Sequence, residues 1–365
     1  MKKGKLKKVF VAMSGGVDSS VAAGLLKKRG FNVVGVFFKP WSPDKKIVFC
    51  DWQQDRLDAM RVAAKLGIEF KTWDFSKEYG KKVAQYMIRG YRAGITPNPD
   101  VMCNKEIKFG LFLKKALAEG ADYITTGHYV RKLKFKDKKS KIERYKLLMG
   151  KDKNKDQSYF LWTLTQEQLK YCLFPIGDYI KPEVRGLAKK FNLPNHAKKD
   201  SQGVCFIGQL DMKDFLKNYI KSKKGKIILA EKNKLVGTHD GAYYYTIGQR
   251  HGLNIRTGQG PYFVVSKDIK KNIVYVADSR RDLDLRSEKT KLEQISWIGD
   301  QPKLPIPAQV KIRYRNKSIP AIIFELNTRT KTTWIKFKKP ANAMAPGQSA
   351  VFYRGQEVLG GGIII

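Results

Sequence analysis

A strand, a glycine turn and a helix follow one another near the start of the chain. Lys8–Met13 is a short apolar run typical of a buried strand, and Ala22, Leu25 and Leu26 have the spacing of a helix face. The turn between them is Ser14, Gly15, Gly16, Val17, Asp18, Ser19 and Ser20. This order predicts one strand–turn–helix unit of a parallel α/β sheet.

The turn has the composition of an anion-binding loop. Its two glycines allow the backbone to fold closely around phosphate oxygens, and the N–H groups at the following helix start carry the positive end of the helix dipole. No lysine follows the glycines, so the loop is not that of phosphoryl-transferring ATPases, and its spacing is not that of a dinucleotide site. The alternative is a glycine turn that only begins a helix.

The alternation of strands and helices continues through the first two hundred residues. Strands are predicted at Asn32–Phe38, Ile68–Trp73 and Tyr123–Thr126, and helices at Asp55–Leu66, Glu78–Arg89 and Lys105–Ala118. A lysine-rich stretch, Arg131–Lys146, interrupts the pattern as a hairpin or a loop. Such alternation predicts a parallel sheet covered by helices on both faces.

Short strands replace this pattern after about Gly208. A short helix is predicted at Asp211–Ile220, followed by strands at Lys226–Leu229, Ala242–Ile247, Tyr262–Ser266 and Ile273–Ala277. Beyond Arg286 the pattern is almost purely β. Ala308–Arg315 alternates Val310, Ile312 and Tyr314 with Lys311, Arg313 and Arg315, which predicts a barrel strand with an apolar inner face and a basic outer face. We therefore expect three domains, at residues 1–208, 209–285 and 286–365.

The chain is strongly basic. Its 365 residues include 72 Lys and Arg against 33 Asp and Glu, a formal net charge of +39 that is spread along the whole length. This excess favours a polyanion partner, because each basic group placed against a phosphate releases a counterion; a lysine-rich proteome is the alternative. No apolar run reaches the roughly 18 residues of a spanning helix, and no signal peptide follows Met1, so we expect a cytoplasmic protein with no membrane partner.

Four cysteines occur, widely spaced and without a C-x-x-C pair, which argues against a disulfide scaffold and against a cysteine-bound metal. Cys103 follows a loop with two prolines and comes just before a predicted helix, with Lys105 and Lys108 nearby, so some thiolate character is expected. Cys205 lies in a glycine-containing turn after two lysines. The alternative for each cysteine is a small buried apolar residue, and we adopt it for Cys50 and Cys172.

These motifs, together with others along the chain, resemble the tRNA-specific 2-thiouridylases, a family of the N-type ATP pyrophosphatase superfamily. The matching segments are residues 14–20, 96–110, 126–129, 154–160, 200–208, 245–250 and 347–353, which span nearly the whole chain. The resemblance implies a Rossmann-like parallel-sheet adenine nucleotide α-hydrolase domain with a PP-loop, then a small central domain, then a C-terminal β-barrel that helps grip tRNA. One departure is Phe38, where relatives often carry methionine.

The resemblance also implies the chemistry. ATP, with Mg²⁺, would adenylate O2 of a wobble uridine, and sulfur from a Cys205 persulfide would replace that oxygen. Cys103 would either release hydrosulfide from the persulfide or resolve it as a disulfide, and Asp100 is a candidate general base, with a loop cap as the alternative. The nucleotide-binding residues implied are Ala12, Met13, Ser14, Gly15, Gly16, Val17, Asp18, Ser19, Phe38 and Gly127.

The implied partners are tRNA, with a wobble uridine of the Lys, Glu or Gln type, and a sulfur donor such as a cysteine desulfurase or a sulfur-relay protein. Asn98, Pro99 and Asp100 would border the flipped target base. His128 would contact RNA or serve the structure. The remaining implied tRNA contacts are Lys155, Asp156, Gln157, Arg313, Tyr314 and Gln348.

Two other functions compete with this interpretation. One is a different adenylating enzyme of the same superfamily, such as an amidotransferase or a synthetase, but amide synthesis needs no second thiol and no basic β-domain. The other is a non-enzymatic RNA-binding protein, in which the glycine loop would have no purpose. ATP-dependent release of pyrophosphate that requires tRNA would separate all three.

Overall fold

The computed structural model describes residues 6–41, 52–137, 140–200, 212–257, 260–278, 286–325, 327, 329–330 and 332–365. Its first sheet consists of β1 (Lys8–Ala12), β2 (Asn32–Lys39), β3 (Glu69–Asp74), β4 (Tyr123–Thr125) and β7 (Cys172–Leu173). The strands are all parallel and lie in the order β3-β2-β1-β4-β7. The predicted parallel α/β sheet is confirmed.

Helices cover both faces of this sheet because its side chains alternate between the faces. Val9 and Val11 of β1 pack on the side of three helices, and Phe10 packs on the other side. The three helices are α1 (Val17–Lys28), α2 (Trp52–Leu66) and α8 (Lys181–Lys190).

Two long helices on the Phe10 side each contain a π-helical segment. The first runs through α3 (Ser76–Tyr79), Gly80–Ala84 and α4 (Gln85–Arg92), and the second through α5 (Pro99–Cys103), Asn104–Leu111 and α6 (Phe112–Ala118). The second helix therefore begins six residues before the Lys105 start that its pattern predicts. A 3₁₀ turn at Ser158–Phe160 and a short helix, α7 (Gln166–Tyr171), come before β7.

The central part is a four-stranded sheet with one helix, α9 (Met212–Lys217). Its strands are β8 (Gly225–Leu229), β9 (Lys234–His239), β10 (Phe263–Asp268) and β11 (Ile273–Ala277), in the order β10-β11-β8-β9. The prediction of a strand at Ala242–Ile247 is wrong. Ala242–Tyr244 forms a 3₁₀ turn instead, because the Ala242 N–H donates to the side chain of Asn272 and not to a neighbouring strand.

The C-terminal part is a closed barrel of six strands. They are β12 (Arg286–Trp297), β13 (Ile306–Lys311), β14 (Ile319–Ile323), β15 (Thr332–Asn342), β16 (Ser349–Arg354) and β17 (Glu357–Ile364). The order is β12-β15-β14-β13-β16-β17, and pairing of β17 with β12 closes the ring and so removes the sheet edges. Its interior is filled by apolar side chains such as Val310, Ile335 and Phe352.

The lysine-rich stretch is a hairpin, β5 (Val130–Lys136) and β6 (Glu143–Met149). It lies among the first 208 residues, yet β6 pairs with β17 through Leu147 and Leu148, so the hairpin extends the barrel sheet. Within the described ranges, no helix has both the length and the apolar character that a bilayer-spanning helix needs.

Candidate active site

The candidate site lies at the point where the strand order of the first sheet reverses. From β1 the chain adds β2 and β3 on one side, and it later places β4 on the other side of β1. The glycine loop follows the carboxyl end of β1, and Thr126–Tyr129 follows that of β4. Ligands of open α/β sheets bind in the crevice at this switch point.

Two further predicted nucleotide contacts border the same crevice. Met13 directly follows β1, and its N–H donates to the carbonyl of Val36 at 2.8 Å. Phe38 lies at the carboxyl end of β2, with its ring packed edge-on against Phe75 and Phe112. The ring is therefore part of the core.

The glycine loop is held by donors that bind its carbonyl groups. Gly15 has φ +75°, and a Cβ there would lie 2.3 Å from the Asp55 carbonyl oxygen, so only glycine fits. The Asn195 Nδ2 donates to the Gly15 carbonyl at 2.9 Å, and the Ser20 hydroxyl donates to the Gly16 carbonyl at 2.8 Å. Because the first N–H groups of a helix have no partner within the helix, the start of α1 offers donors to an anion.

Asp18, in the first turn of α1, belongs to a network of charged groups. One of its carboxylate oxygens accepts from the Tyr129 hydroxyl at 2.8 Å and from the Lys181 ammonium at 2.7 Å. Burial and the neighbouring Asp18 raise the pKa of Tyr129, so the phenol keeps its proton and donates. Lys181, largely buried, also bonds Asp200 at 2.8 Å and thereby links the loop to a residue far along the chain.

Asp200 is bound by three cations. Besides Lys181, its carboxylate accepts from Lys155 and Arg185, each at 2.7 Å. Burial acts to raise the pKa of Asp200, but hydrogen bonds from Lys155 and Lys181 outweigh it and hold that pKa well below its usual range. The predicted tRNA contact Lys155 is thus bound to a carboxylate beside the glycine loop.

Cys205 and Cys50 lie outside the described residues.

The helix that carries Cys103 starts with a defined cap. The Asn98 side chain accepts from the Val101 N–H at 3.2 Å, and Pro99 occupies the first turn. Cys103 therefore lies within the helix, fully buried, and not just before a helix as its sequence context predicts. Asp100 lies in the first helical turn and is partly buried, where the helix dipole stabilises a carboxylate.

Gly127 and His128 lie between the glycine loop and this helix. A Cβ on Gly127 would lie 2.8 Å from the Ser19 nitrogen, so the two backbones are in direct contact. The His128 ring lies 5.9 Å from that of Phe109, which belongs to the Cys103 helix, and its Nδ1 is 2.6 Å from the Thr126 hydroxyl. Burial, with Lys108 nearby, lowers the pKa of His128, so the buried ring is neutral.

The other two parts of the molecule meet the chain immediately before Asn98. The Thr96 N–H donates to the Pro346 carbonyl, and Gln348 donates to the Thr96 carbonyl, both at 2.8 Å. The hydroxyls of Thr96 and Thr246 are 3.2 Å apart. Gln348, predicted to contact tRNA, thus holds the segment that leads into the Cys103 helix.

The predicted basic outer face of Ala308–Arg315 is wrong. Strand β13 ends at Lys311, and Arg313 turns its guanidinium inward to donate to the carbonyls of Ile247 and Ala343. Burial lowers the pKa of this guanidinium. The reason is tertiary, because the segment at Ile247 of the central part lies beside the barrel, where an isolated strand would face water. Tyr314 packs on Phe160 with ring centroids 4.5 Å apart.

Asp156 and Gln157 also make internal contacts. Buried Asp156 accepts from the Gly150 N–H at 3.0 Å and the Ser158 hydroxyl at 2.9 Å, and Gln157 accepts from the Tyr129 N–H at 3.0 Å. These bonds fix the turn behind Tyr129, the residue that binds Asp18.

Sequence reasoning did not find Lys181, Asn195 or Asp200 as site residues. Lys181 is one of 72 basic residues, and nothing in its local pattern distinguishes it from the others. Asn195 and Asp200 follow α8 in a stretch with no periodic pattern. Only the packing of α8 against α1 brings these side chains to the glycine loop.

Comparison with known proteins identifies the family. A family model described as the tRNA methyl transferase HUP domain matches residues 7–209, and further models described as the tRNA methyl transferase PRC-barrel domain and the aminomethyltransferase beta-barrel domain match residues 213–278 and 287–364. The tRNA-specific 2-thiouridylase MnmA of Geobacillus thermodenitrificans is 45% identical over 358 residues, which cover 98% of this chain and 94% of the relative. The chain belongs to the tRNA-specific 2-thiouridylase family.

Other 2-thiouridylases match equally well along their length. The protein of Pectobacterium carotovorum is 46% identical over 98% of this chain and 97% of its own, and that of Blochmanniella floridana is 47% identical over 99% and 97%. The resemblance stated from the motifs is confirmed, and so is the predicted build of a Rossmann-like PP-loop domain, a central domain and a C-terminal β-barrel.

Proposed function

We propose that this protein converts a wobble uridine of tRNA to 2-thiouridine, consuming ATP and releasing AMP and pyrophosphate. The observation that carries the proposal is the position of Gly127 and His128. On one side Gly127 touches the backbone of the glycine loop, and on the other His128 packs on the helix that carries Cys103. The glycine loop and the helix that carries Cys103 thus flank one segment, as activation by ATP followed by sulfur transfer requires.

The first step uses the glycine loop. O2 of uridine is a poor leaving group, so it must first attack the α-phosphorus of ATP, with pyrophosphate departing. The N–H groups at the start of α1 point to where negative charge develops on that leaving group, and they are held in place before the reaction begins. Asn195 and Gly15 maintain this orientation, because the positive φ of Gly15 turns its carbonyl inward and the Asn195 side chain binds that carbonyl.

Magnesium would enter with ATP. The described residues contain no group of three or more His, Cys, Asp or Glu side chains that could hold a metal ion by themselves. Such a site fits Mg²⁺ bound mainly by phosphate oxygens and water, with Asp18 as the loop carboxylate available to it, and the ion would supply charge neutralisation for the leaving pyrophosphate.

The second step replaces the activated oxygen. The terminal sulfur of a Cys205 persulfide attacks C2 of the uridine, and AMP leaves with the former O2. Cys103 then attacks the sulfur of Cys205 and frees the thiolated base as a Cys103–Cys205 disulfide forms; alternatively, Cys103 attacks earlier and releases hydrosulfide as the nucleophile. Asp100, one turn before Cys103 on the same helix, would serve as general base, with Asn98 and Pro99 beside the target base.

The finer identity of the partners rests on the family to which the chain belongs. We propose that the substrates are tRNAs with a wobble uridine of the Lys, Glu or Gln type. The surface that contacts tRNA would be formed or supported from beneath by Lys155, Asp156, Gln157, Arg313, Tyr314 and Gln348. A cysteine desulfurase or a sulfur-relay protein would load Cys205. We further propose that the enzyme acts in the cytoplasm.

The test follows sulfur and pyrophosphate separately. Unmodified tRNA, ATP and a labelled protein persulfide donor are incubated with the enzyme, and the digested RNA is analysed for 2-thiouridine. Cys103→Ser and Cys205→Ser should abolish thiolation and still release pyrophosphate. Cys172→Ser is the matched control, because Cys172 is as fully buried as Cys103, and burial raises the pKa of its thiol to about 12. Full thiolation by Cys205→Ser, or no tRNA-dependent pyrophosphate release by the wild type, would contradict the proposal.

A further inference from the structure

One outward face of the barrel combines cations with an exposed indole. Strands β12 and β15 run antiparallel, with Lys289 opposite Lys336 and Lys291 opposite Trp334. Ile335 and Phe337 point into the barrel and are buried, so Trp334, Lys336 and Lys338 point outward. We call these five outward residues the outer barrel face: Lys289, Lys291, Trp334, Lys336 and Lys338.

Stability of the barrel does not explain this face. Like charges directly opposite each other across two strands are destabilising, as Lys289 and Lys336 are here. Trp334 is 51% exposed, and Phe324, whose N–H donates to the Trp334 carbonyl, is 37% exposed. The two strands carry six basic residues against two acidic ones. None of the four lysines of the outer barrel face is in an ion pair with a residue that the structure describes.

The face lies close to the candidate site. A cavity of about 290 Å³ lies between the Cys103 helix, which contributes Asn98 and Lys105, and strand β12, which contributes Gln294 and Ser296. Lys291 precedes Gln294 by three residues, so their Cα atoms are at most about 11 Å apart, although the register of β12 shifts next to Gln294. The outer barrel face is therefore within reach of an RNA chain that is bound at Asn98 and passes through the cavity.

We propose that the outer barrel face binds unpaired nucleotides of the RNA substrate next to the target uridine. Lysines attract phosphates, and an exposed indole among cations provides a stacking surface for a base, the combination that single-stranded nucleic acids require. An apolar protein partner would instead need a larger apolar patch around Trp334. This inference rests on the proposed function for the identity of the RNA.

The test measures tRNA affinity against salt concentration for four variants. Stacking of one base contributes about 1–3 kcal/mol, so Trp334→Ala should weaken binding about tenfold, whereas Trp334→Phe, which keeps an aromatic ring, should stay within about threefold. In a plot of the log binding constant against the log salt concentration, the double variant Lys289→Gln/Lys336→Gln should have a slope smaller in magnitude by about 1.4, because each single-strand phosphate contact contributes about 0.7. The matched control Lys189→Gln/Lys190→Gln removes two exposed lysines from the end of α8 and should leave the slope unchanged.

The results distinguish between the molecules that could occupy the outer barrel face. Wild-type affinity in Trp334→Ala at every salt concentration, or an unchanged slope in the Lys289/Lys336 variant, would overturn the inference. So would a wild-type dimer that Trp334→Ala converts to a monomer without changing tRNA affinity, because the face would then bind a second copy of the chain. If the wild type binds tRNA through Trp334 but makes no 2-thiouridine, the proposed function fails and this inference stands; a wild type that binds no tRNA overturns both.

Discussion

Gly15 and Gly30 allow the role of the glycine loop to be separated from the general effect of replacing a left-handed glycine. Gly15 has φ +75° and Gly30 has φ +83°, so alanine at either position is strained by about 1–2 kcal/mol. Their surroundings differ. A Cβ at Gly30 would meet nothing within 4 Å, whereas at Gly15 it would lie 2.3 Å from the backbone oxygen of Asp55.

The clash sets the size of the expected effect. Real Cβ atoms almost never come closer than 3.0 Å, so 3.0 − 2.3 = 0.7 Å is the least by which the loop or Asp55 must move. Asp55 is not easily displaced, because the Lys198 ammonium binds its side chain at 2.7 Å. The loop should therefore move, and a misplacement of about 1 Å at a reacting centre can reduce a rate on the order of 100-fold.

Two measurements separate the variants: urea unfolding, and tRNA-dependent pyrophosphate release. Gly30→Ala should lose about 1–2 kcal/mol of stability and keep its rate, because it has the strain without the clash. Gly15→Ala should lose at least as much stability, and its rate should fall on the order of 100-fold. If Gly15→Ala turns over within about threefold of Gly30→Ala, the loop does not hold the phosphates through its present backbone path, and the assignment is refuted.

Three other predictions concern single side chains. Gln348→Ala removes one hydrogen bond to Thr96, so the stability of the protein should fall by about 1 kcal/mol. Turnover should also fall, while the Kd for tRNA should stay unchanged. A raised Kd at normal turnover would show that Gln348 contacts tRNA directly instead. Lys181→Met leaves Asp18 without its cation and should destabilise the protein by about 2–4 kcal/mol. The double variant with Asp18→Asn should lose less stability than the two single variants lose together, which a double-mutant cycle of unfolding free energies can check. Burial lowers the pKa of Lys267 to about 8, below its unfolded value, so its charged form opposes folding below about pH 8 and the penalty fades between about pH 8 and 10.5. Lys267→Met removes this penalty and also the hydrogen bond from Lys267 to the Tyr245 carbonyl, so the Tm of the wild type should rise relative to that of the variant over this window, and a constant difference would contradict the shift.

The sequence by itself determined the elements whose signals are local. The glycine turn between a strand and a helix marks a phosphate loop, because glycine adopts without strain the positive φ found at Gly15. Side-chain alternation marked one strand of the barrel, predicted at Ala308–Arg315 and found as β13 at Ile306–Lys311. Where the local signal was incomplete, the prediction failed: the Cys103 helix starts at Pro99 because Asn98 caps it, and the apolar run at Ala242 is a turn because Asn272 binds its N–H.

Only the tertiary structure decided which distant side chains form the site. Asp18 and Lys181 are 163 residues apart, and Gln348 and the Thr96 carbonyl that it binds are 252 apart. Neither contact has a sequence signature, because an ion pair or a side-chain hydrogen bond requires only that the fold bring a donor to an acceptor. Arg313 shows the same principle in reverse: its pattern is that of a solvent-facing cation, but the carbonyls of Ile247 in the central part and of Ala343 bind it internally.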